Sequence, residues 1–387
     1  MTSIPDDAPG STRPVNPPVQ HDVRVATWPQ LCVVGPLPPP PGGMANQCEQ
    51  LLRFLRAEGA SVEFVRTNAP YWPAWIEKVR LIRAAFQLVP YVAALWRGIG
   101  RAEVVHLFAN SGWAWHLLAA PALTLARWRR VPVIVNYRGG LADEFFTSAP
   151  RHVLKALASA SHRVAPSDFL VRVFAKHGLC ADVIPNIIDL SRFTARPLRD
   201  VDVEPHFIVT RNLEAVYDVA TAVKAFVRVR ARWPGARLTV AGTGPELAAL
   251  QALVAGLGVS DAVHFAGRIA NADIAALYAS ANILLNPSTA DNMPISILEA
   301  LACGVPVVST RAGGVPDLVA HEQTALLVAV GDHVAMADAA LRLLSDRALA
   351  QRLHDAGRHE VLRYAWPSVR EQWQTAYRHA ANTRSQD

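Results

Sequence analysis

Two acidic side chains near the end of a predicted strand are the strongest candidates for chemistry in this sequence. Asp291 lies in a polar loop after the apolar run 283–286, and Glu299 follows eight residues later in a predicted helix. Pro294 fits the first turn of that helix, where its missing N–H leaves no hydrogen bond unmade. The free N–H groups of this turn, with the helix dipole, form a site for an anion such as a phosphate. The two carboxylates can accept hydrogen bonds from two separate diols, one on a sugar and one on a ribose.

Other candidates lie in loops that follow predicted strands elsewhere. Gly42 and Gly43 end a proline-rich loop, where glycine lets the backbone approach a diphosphate or an acceptor closely. Arg211 follows the first predicted strand of the second half, and a guanidinium can bind a phosphate through two hydrogen bonds. Arg138, after the predicted strand 131–135, can supply a second cation.

Short apolar runs alternate with helical patterns along almost the whole chain and determine where these loops lie. Runs of four to six residues without polar alternation are typical of strands in a parallel sheet covered on both faces. The predicted strands are 31–35, 61–65, 103–108, 131–135, 207–210, 237–241, 263–266, 283–286, 305–309 and 325–328. Two such series indicate an α/β fold with two Rossmann-like, doubly wound domains, which bind ligands at the carboxyl ends of their strands.

The length of 387 residues is long for one core and also favours two domains. Residues 1–28 are rich in Pro, Asp and Ser, a composition typical of a disordered tail. We expect a first domain over 29–190, a polar linker over 191–204, a second domain over 205–363 and a final helix over 364–381.

Composition and charge exclude several classes of protein. A hydrophobic content of 51% with 18% charged residues fits a globular chain and neither a disordered nor a fibrous one. The formal net charge of +6 comes from residues 1–190, which hold 19 basic and 13 acidic side chains, whereas the remainder holds 19 of each. This asymmetry favours an anionic partner such as a diphosphate or a bilayer leaflet. Nucleic acid is not expected, because no basic run is interleaved with aromatic residues.

Cysteine usage and hydropathy predict a cytoplasmic protein. The four cysteines lie far apart without a Cys-x-x-Cys pair, which indicates reduced core residues and no metal site. Prolines and aspartates near the start of the chain do not fit a signal peptide. No window supplies about twenty uninterrupted apolar residues, so no membrane span is expected.

The segment 71–97 combines Trp, Leu, Val and Ala with four cationic side chains and Pro90. One interpretation is an amphipathic hairpin that lies on an anionic membrane surface. The other is a pair of helices packed on the first sheet. We favour the membrane interpretation, because aromatic ends and cations coincide, and it predicts peripheral attachment to the inner face of the membrane.

The stretch 286–306 resembles the E-x7-E region of the retaining, GT-B-type glycosyltransferases of family 4, with Asp291 in place of the first glutamate. The continuation 304–316 is similar to the next segment of that family, and the resemblance covers roughly residues 29–380. It implies a GT-B fold, in which two Rossmann-like domains face each other across a cleft. A nucleotide-sugar would lie mainly on the second domain and the acceptor on the first. The final helix, 364–381, would cross back onto the first domain.

By this resemblance, the loop and helix around Asp291 would bind the donor. Glu299 would hold the nucleotide ribose, and Asp291 would hold the donor sugar. The backbone that would also contact the sugar belongs to Asn292, Met293, Pro294 and Ile295. Gly42 and Gly43 would face the cleft.

Other loops resemble further donor-binding segments of the family. Arg211 resembles the arginine of G-R-L-x-x-x-K-G, which neutralises the donor diphosphate, although no lysine stands where the family usually has one. Gly244 lies in a turn similar to A-G-x-G-P-E, and Arg268 lies in the loop whose backbone contacts the base. Arg138 stands where many relatives have a histidine. Either Arg138 contacts the sugar or phosphate, or His116 supplies the polar group from the neighbouring loop.

The implied reaction moves a sugar from a UDP- or GDP-linked donor to a glycan or lipid-linked acceptor, as in polysaccharide assembly. It retains anomeric configuration and needs neither a cofactor nor a metal. The sequence offers no convincing nucleophile, which favours front-face departure of the diphosphate, assisted by Arg211 and the helix start. Two alternatives stay open. One is a non-catalytic GT-B protein that binds a sugar or nucleotide, supported by the missing lysine and the Arg138 exchange. The other is a nucleotide-sugar epimerase of the same fold.

Overall fold

The computed structural model describes residues 28–39, 42–69, 80–200 and 204–383, and this part of the chain forms two parallel sheets of six strands each. The first sheet consists of β1 (Leu31–Gly35), β2 (Val62–Arg66), β3 (Val104–Ala109), β4 (Val133–Tyr137), β5 (His162–Ala165) and β6 (Asp182–Val183). The second consists of β7 (His206–Val209), β8 (Arg237–Ala241), β9 (Val263–Gly267), β10 (Ile283–Asn286), β11 (Val307–Thr310) and β12 (Leu326–Val328).

Helices connect the strands and cover the sheets. Those before β7 are α1 (Gly43–Ala57), α2 (Arg80–Gly100), α3 (Ala120–Trp128), α4 (Ala142–Ser148), α5 (Arg151–Ala158) and α6 (Asp168–Lys176). Those after β7 are α7 (Val219–Arg232), α8 (Leu247–Gly256), α9 (Ile274–Ser280), α10 (Ile295–Cys303), α11 (Val315–Leu318), α12 (His333–Ser345), α13 (Arg347–Glu360) and α14 (Trp366–Thr383). A π-helical turn, Trp115–Ala119, precedes α3. Short 3-10 turns lie at Ala215–Tyr217 and Val361–Tyr364.

Burial on both faces of the sheets explains the continuous apolar runs. In β1, Cys32 and Val34 belong to one hydrophobic core, while Leu31 and Val33 belong to the core on the opposite face. Successive side chains of a strand point to opposite faces, so a strand covered on both sides must be apolar throughout. The two sheets therefore confirm the prediction of an α/β fold with two Rossmann-like domains.

The strand order determines where ligands can bind. The first sheet runs β2-β1-β3-β4-β5-β6, and the second runs β12-β11-β10-β7-β8-β9. Chain order reverses between β7 and β10, because the connection after β7 leads to β8 on one side and the connection after β10 leads to β11 on the other. Loops that leave adjacent strands at such a switch point diverge and open a crevice. The crevice of the second sheet thus lies between the loops after β7 and β10.

All ten predicted strands are present, with ends within two residues of the predicted ones. Two further strands, β5 and β6, were missed. The first half of β5 is His162 and Arg163, and β6 has only two residues at the edge of the sheet. Neither produces the apolar run that predicted the other strands.

The hairpin predicted within residues 71–97 is wrong in the part that the structure describes. Residues 71–79 lie outside the described residues, and from Arg80 onward a single helix, α2, continues through Pro90 to Gly100. Tyr91, Leu95 and Ile99 are buried in the first core, which holds the helix on the sheet beyond the proline. Within the described residues, no helix is both long and apolar enough to cross a bilayer.

The last helix, α14, packs on the first sheet although it follows the second one in sequence. Trp366, Trp373 and Tyr377 are buried in the same core as residues of β1, β3, β4 and β5. The first sheet lies within residues 29–190 and the second within 205–363, while the exact domain limits stay predictions.

Trp373→Ala is expected to destabilise the fold, because the indole is 1% exposed at the centre of this contact. Truncating a buried tryptophan typically lowers the free energy of unfolding by about 3–5 kcal/mol. Trp113→Ala is the matched control, since Trp113 is 79% exposed and should cost less than about 1 kcal/mol. Urea unfolding of both variants measures the difference, and equal losses would contradict the described packing of α14.

Candidate active site

An ion pair between Arg211 and Asp291 lies in the crevice of the second sheet. Arg211 follows β7 and Asp291 follows β10, and these strands are hydrogen-bonded neighbours. The guanidinium donates to the Asp291 carboxylate, and it also donates to Ser296 Oγ at 3.5 Å. Both side chains are only 12% exposed. The two residues that the sequence singled out are thus in direct contact.

The surroundings of the pair leave part of each charge available. The Arg211 guanidinium lies 4.0 Å from the centre of the Tyr217 ring, in the segment that lacks the family's lysine. Its Nε is buried and has no hydrogen-bond partner within the described part of the chain. Burial raises the pKa of Asp291 above its ordinary value, although Arg211 and the N–H groups of Met293 and Asn292 favour the ionised form. A ligand that offers an anion to one partner and hydroxyls to the other suits this arrangement.

The second carboxylate, Glu299, lies deeper in α10 and is held by a tyrosine. The Tyr278 hydroxyl donates to Glu299 Oε2 at 2.8 Å, and it also lies 2.7 Å from Thr210 Oγ1. Burial raises the pKa of Glu299 to about 7, against the opposing effects of Tyr278, Arg192 and Arg211. Glu299 is therefore oriented, half-buried and able to accept further hydrogen bonds once it is ionised.

Two glycines determine the course of residues 291–295, which we call the acidic loop. A Cβ on Gly313, whose φ is +53°, would lie 2.1 Å from the Asp291 carbonyl oxygen. A Cβ on Gly314 would lie 2.0 Å from the Asn292 carbonyl oxygen. The Gly314 N–H donates to the Asp291 carbonyl at 2.8 Å. The family resemblance included this glycine pair, but its role in supporting the acidic loop was missed.

The acidic loop also contacts the first domain. The Asn292 amide donates to the Gly139 carbonyl at 2.7 Å, and the Asn186 amide donates to the Met293 carbonyl at 2.8 Å. Pro294 is the N-cap of α10, whose first residue is Ile295. The helix therefore begins one residue after the predicted start at Pro294. The first-turn N–H groups of α10 face the crevice from the end that favours an anion.

Gly42 and Gly43, which were predicted to face the cleft, lie on one side of it at the start of α1, and Gly244 lies in the second domain. Gly42 caps α1, and a Cβ on Gly43 would be 3.7 Å from the Ile295 side chain across the cleft. Gly244 supports the loop after β7, because a Cβ there would lie 2.2 Å from the Leu213 carbonyl oxygen. Arg268 is exposed after β9, beyond the Gly244 turn.

The Arg138 side chain reaches the acidic loop through Asn186, and its backbone carbonyl accepts a hydrogen bond from the Asn292 amide at 3.4 Å, whereas among the described residues His116 has no contact with this loop. The Arg138 guanidinium donates to the side-chain oxygens of Asn136 and Asn186, and Asn186 in turn holds the Met293 carbonyl. Burial lowers the pKa of Arg138 to about 10. His116 has a different environment, formed by the rings of Trp113, Phe145 and His152. The role of His116 therefore stays a prediction without a contact to the acidic loop.

The stability of the Glu299→Gln variant, relative to the wild type, should increase as pH rises. The pKa of Glu299 in the folded protein, about 7, exceeds its ordinary value of 4.5, so ionisation destabilises the fold; this cost is absent below pH 4.5 and complete above pH 7. The variant avoids this cost and should gain about 2 kcal/mol over the wild type between pH 5 and pH 8. Thermal unfolding without nucleotide measures it, with the exposed Glu371→Gln as control. A stability difference that does not change with pH would disprove the buried-acid assignment.

Two family models match successive parts of the chain. The family model for glycosyltransferase family 4 matches residues 41–192, and the model for glycosyl transferases group 1 matches residues 195–360. N-acetyl-alpha-D-glucosaminyl L-malate synthase of Bacillus anthracis is 34% identical over 167 residues, 43% of each chain. A GDP-mannose-dependent alpha-(1-6)-phosphatidylinositol monomannoside mannosyltransferase of Mycobacterium tuberculosis is 35% identical over 162 residues, 40% of each chain. The aligned part thus spans less than half the length of these relatives.

Solved structures match the fold over a longer part of the chain. The Anabaena Alr3699/HepE protein, crystallised with UDP and glucose, matches with a TM-score of 0.70 at 18% identity, over 90% of this chain and 99% of that one. Sucrose-phosphate synthase from Thermosynechococcus elongatus matches with a TM-score of 0.70 at 19% identity, over 90% and 98% of the two chains. These likenesses show that the fold is GT-B. With the two family models matched in succession, the chain belongs to the group 1, family 4 type of GT-B-fold glycosyltransferases.

Proposed function

We propose that the protein transfers a sugar from a UDP- or GDP-linked donor to a glycan or lipid-linked acceptor, with retention and without a cofactor or metal. The observation that carries this proposal is the Arg211–Asp291 pair beside Glu299, at the N-terminus of α10. Three groups with different chemistry converge there: a cation, an acid next to backbone N–H groups, and a deeper acid. A nucleotide-sugar has three parts that match them: diphosphate, sugar and ribose.

Each part of the donor has a partner of matching chemistry. Arg211 and the first turn of α10 bind the diphosphate, because both offer N–H donors and positive charge. Glu299 accepts hydrogen bonds from the ribose hydroxyls, next to the fixed donor Tyr278. Asp291 and the backbone from Asn292 to Ile295 bind the donor sugar. Relatives support this donor class, since the Mycobacterium tuberculosis protein is named as GDP-mannose-dependent and the Anabaena protein was crystallised with UDP and glucose.

The proposed chemical step is front-face substitution. The bond between C1 of the sugar and the diphosphate oxygen breaks, and the charge that develops on that oxygen is stabilised by Arg211 and the α10 dipole. The acceptor hydroxyl attacks C1 from the same face and gives its proton to the departing phosphate oxygen, so the configuration at C1 is retained. Contacts of Asn292 and Met293 with the first domain hold the cleft together and limit access of water.

A screen with labelled UDP- and GDP-sugars tests the proposal. We expect turnover or slow hydrolysis of at least one donor, in the presence of EDTA, and the same anomeric configuration in product and donor by proton NMR. Arg211→Ala should lower kcat by about a hundredfold or more, since it removes charge stabilisation in the transition state. Glu299→Ala should mainly weaken nucleotide binding. Arg342→Ala, which breaks an exposed ion pair with Glu322, is the control and should leave kcat and nucleotide binding unchanged.

Other outcomes separate the alternatives. Nucleotide binding without turnover of any donor would identify a non-catalytic binding protein. Conversion of the donor into an isomer without transfer would identify an epimerase. If no donor is consumed and Glu299→Ala binds nucleotide as the wild type does, the transferase proposal fails.

We further propose that the protein is cytoplasmic and that its first domain attaches peripherally to an anionic membrane. The exposed rings of Trp96 and Trp128 lie 5.4 Å apart, and the Arg129 guanidinium lies 3.5 Å over the Trp96 ring. Exposed arginines flank them, Arg97 on α2 and Arg127 on α3. The two helices end just before β3 and β4 begin, so they lie at the amino-terminal ends of the strands, opposite the cleft. Indole rings and arginines side by side suit the headgroup region of an anionic bilayer.

The double variant Trp96→Ser/Trp128→Ser should reduce sedimentation with phosphatidylglycerol vesicles at low salt. Each exposed cation near an anionic surface contributes about 1 kcal/mol, so Arg127→Gln should weaken vesicle binding by roughly fivefold. Trp113→Ser is the control, because Trp113 is also exposed but lies in the loop after β3, near the cleft. Wild-type protein that does not sediment with these vesicles would refute the attachment.

A further inference from the structure

A chain of buried hydrogen bonds connects the last helix with the acidic loop. The Tyr377 hydroxyl lies 2.6 Å from His106 Nδ1, and His106 Nε2 lies 3.0 Å from Asn136 Nδ2. The Arg138 Nε donates to Asn136 Oδ1 at 2.8 Å, and Arg138 Nη1 donates to Asn186 Oδ1. Asn186 Nδ2 donates to the Met293 carbonyl at 2.8 Å. We call this series, from Tyr377 to the Met293 carbonyl, the polar chain.

Arg138 determines the direction of every link, because a guanidinium can only donate hydrogen bonds. It therefore turns the oxygen of each neighbouring amide, Asn136 and Asn186, towards itself. The Asn136 amide nitrogen must then donate to His106 Nε2, so the single proton of the neutral ring lies on Nδ1 and is donated to Tyr377. On the other side, the Asn186 amide nitrogen must donate to the Met293 carbonyl. Reversing one link would leave two donors or two acceptors facing each other.

Burial makes each of these hydrogen bonds costly to lose. His106, Asn136 and Tyr377 are fully buried, and Asn186 is 5% exposed. Water cannot replace a lost partner there, so a single broken link leaves an unpaired polar group at a substantial cost. Burial, with the nearby Arg138, also lowers the pKa of His106 to about 3, which keeps the ring neutral at physiological pH.

The polar chain includes residues of both domains and of the segment between the two sheets. Tyr377 belongs to α14, His106 to β3 and Asn136 to β4, while Asn186 lies in the connection between the two sheets. Met293 belongs to the acidic loop of the second domain. The polar chain thus links α14 and residue Asn186 to the loop next to Asp291.

We propose that Arg138 is a positioning residue, which acts through Asn186 to hold the Met293 carbonyl and so places the acidic loop for the donor sugar. This inference rests on the proposed function, because it assigns the loop to a nucleotide-sugar. Arg138 is then assigned to positioning, because its Nε donates to Asn136 and its Nη1 to Asn186. Tyr377 and His106 serve the same purpose from the far end, without contact with the cleft.

Asn186→Asp tests the last link with minimal change of shape. The new carboxylate still accepts a hydrogen bond from Arg138, and this ion pair preserves folding. The carboxylate cannot donate a hydrogen bond to the Met293 carbonyl. We expect KM for the donor to rise about tenfold, with a smaller change in kcat and little change in the thermal midpoint. Asn282→Asp is the matched control: this buried amide also accepts from an N–H, that of His206, and donates to a carbonyl, that of Asp200, away from the acidic loop. It should leave KM unchanged.

Tyr377→Phe tests the far end of the polar chain, where a structural role alone would not change donor binding. The unpaired Nδ1–H of His106 should weaken donor binding by about threefold or more. Tyr364→Phe is the control, since its hydroxyl contacts Glu360 at 3.4 Å and does not take part in the polar chain. If Asn186→Asp and Tyr377→Phe both bind the donor as tightly as the wild type, the positioning role is overturned while the proposed function stands.

Ring nitrogen spectra of 15N-histidine-labelled full-length protein test the direction without any donor. The His106 resonances, assigned with His106→Gln, should show a proton on Nδ1 and none on Nε2 from pH 5 to pH 8. In Asn136→Asp the neighbouring carboxylate can only accept, so the proton should appear on Nε2. A wild-type proton on Nε2 would refute the polar chain. If the wild type binds no nucleotide-sugar, the proposed function fails, and these spectra still decide the direction.

Discussion

The buried ion pair between Arg211 and Asp291 holds opposite charges at the point where β7 and β10 end side by side. The two residues are 80 positions apart, and only the reversal of strand order at β7 brings them together. Removing one partner of such a pair leaves a buried charge and typically costs about 3–5 kcal/mol. The charges therefore constrain each other, and the loops on either side follow. Gly242 and Gly244 bring the next loop against the Arg211 segment, while Gly313 and Gly314 support the acidic loop.

The same site depends on the first domain through hydrogen bonds that cross the cleft. Asn292 and Met293 of the acidic loop are bonded to Gly139 and Asn186, and α14 returns to complete the core beneath β3 and β4. The geometry of the acidic loop is thus a property of both domains. Arg138 orders the amides of Asn136 and Asn186, of which Asn186 reaches the acidic loop, a task that needs several donors.

Much of the fold could be predicted because parallel strands covered on both faces leave a simple pattern. Ten strands show it, whereas β5 begins with His162 and Arg163 and β6 has two residues, so neither could be recognised. The segment 71–97 was predicted as a hairpin or a pair of helices, but packing of Tyr91, Leu95 and Ile99 keeps α2 continuous through Pro90. Burial of the apolar face outweighed the low helix propensity of proline there, and the local sequence does not show which residues become buried.

The sequence by itself determined the fold class, the family and the two acidic positions, because these depend on local patterns: apolar runs, a strand–loop–helix junction and the spacing of Asp291 and Glu299. Only the tertiary structure decided which polar groups meet. Arg211 pairs with Asp291, Tyr278 holds Glu299, and His106 joins Arg138 through Asn136, while His116 lies among aromatic rings elsewhere. The physical reason is that hydrogen bonds and ion pairs form between groups that the sheet topology brings within about 3 Å, whatever their separation along the chain.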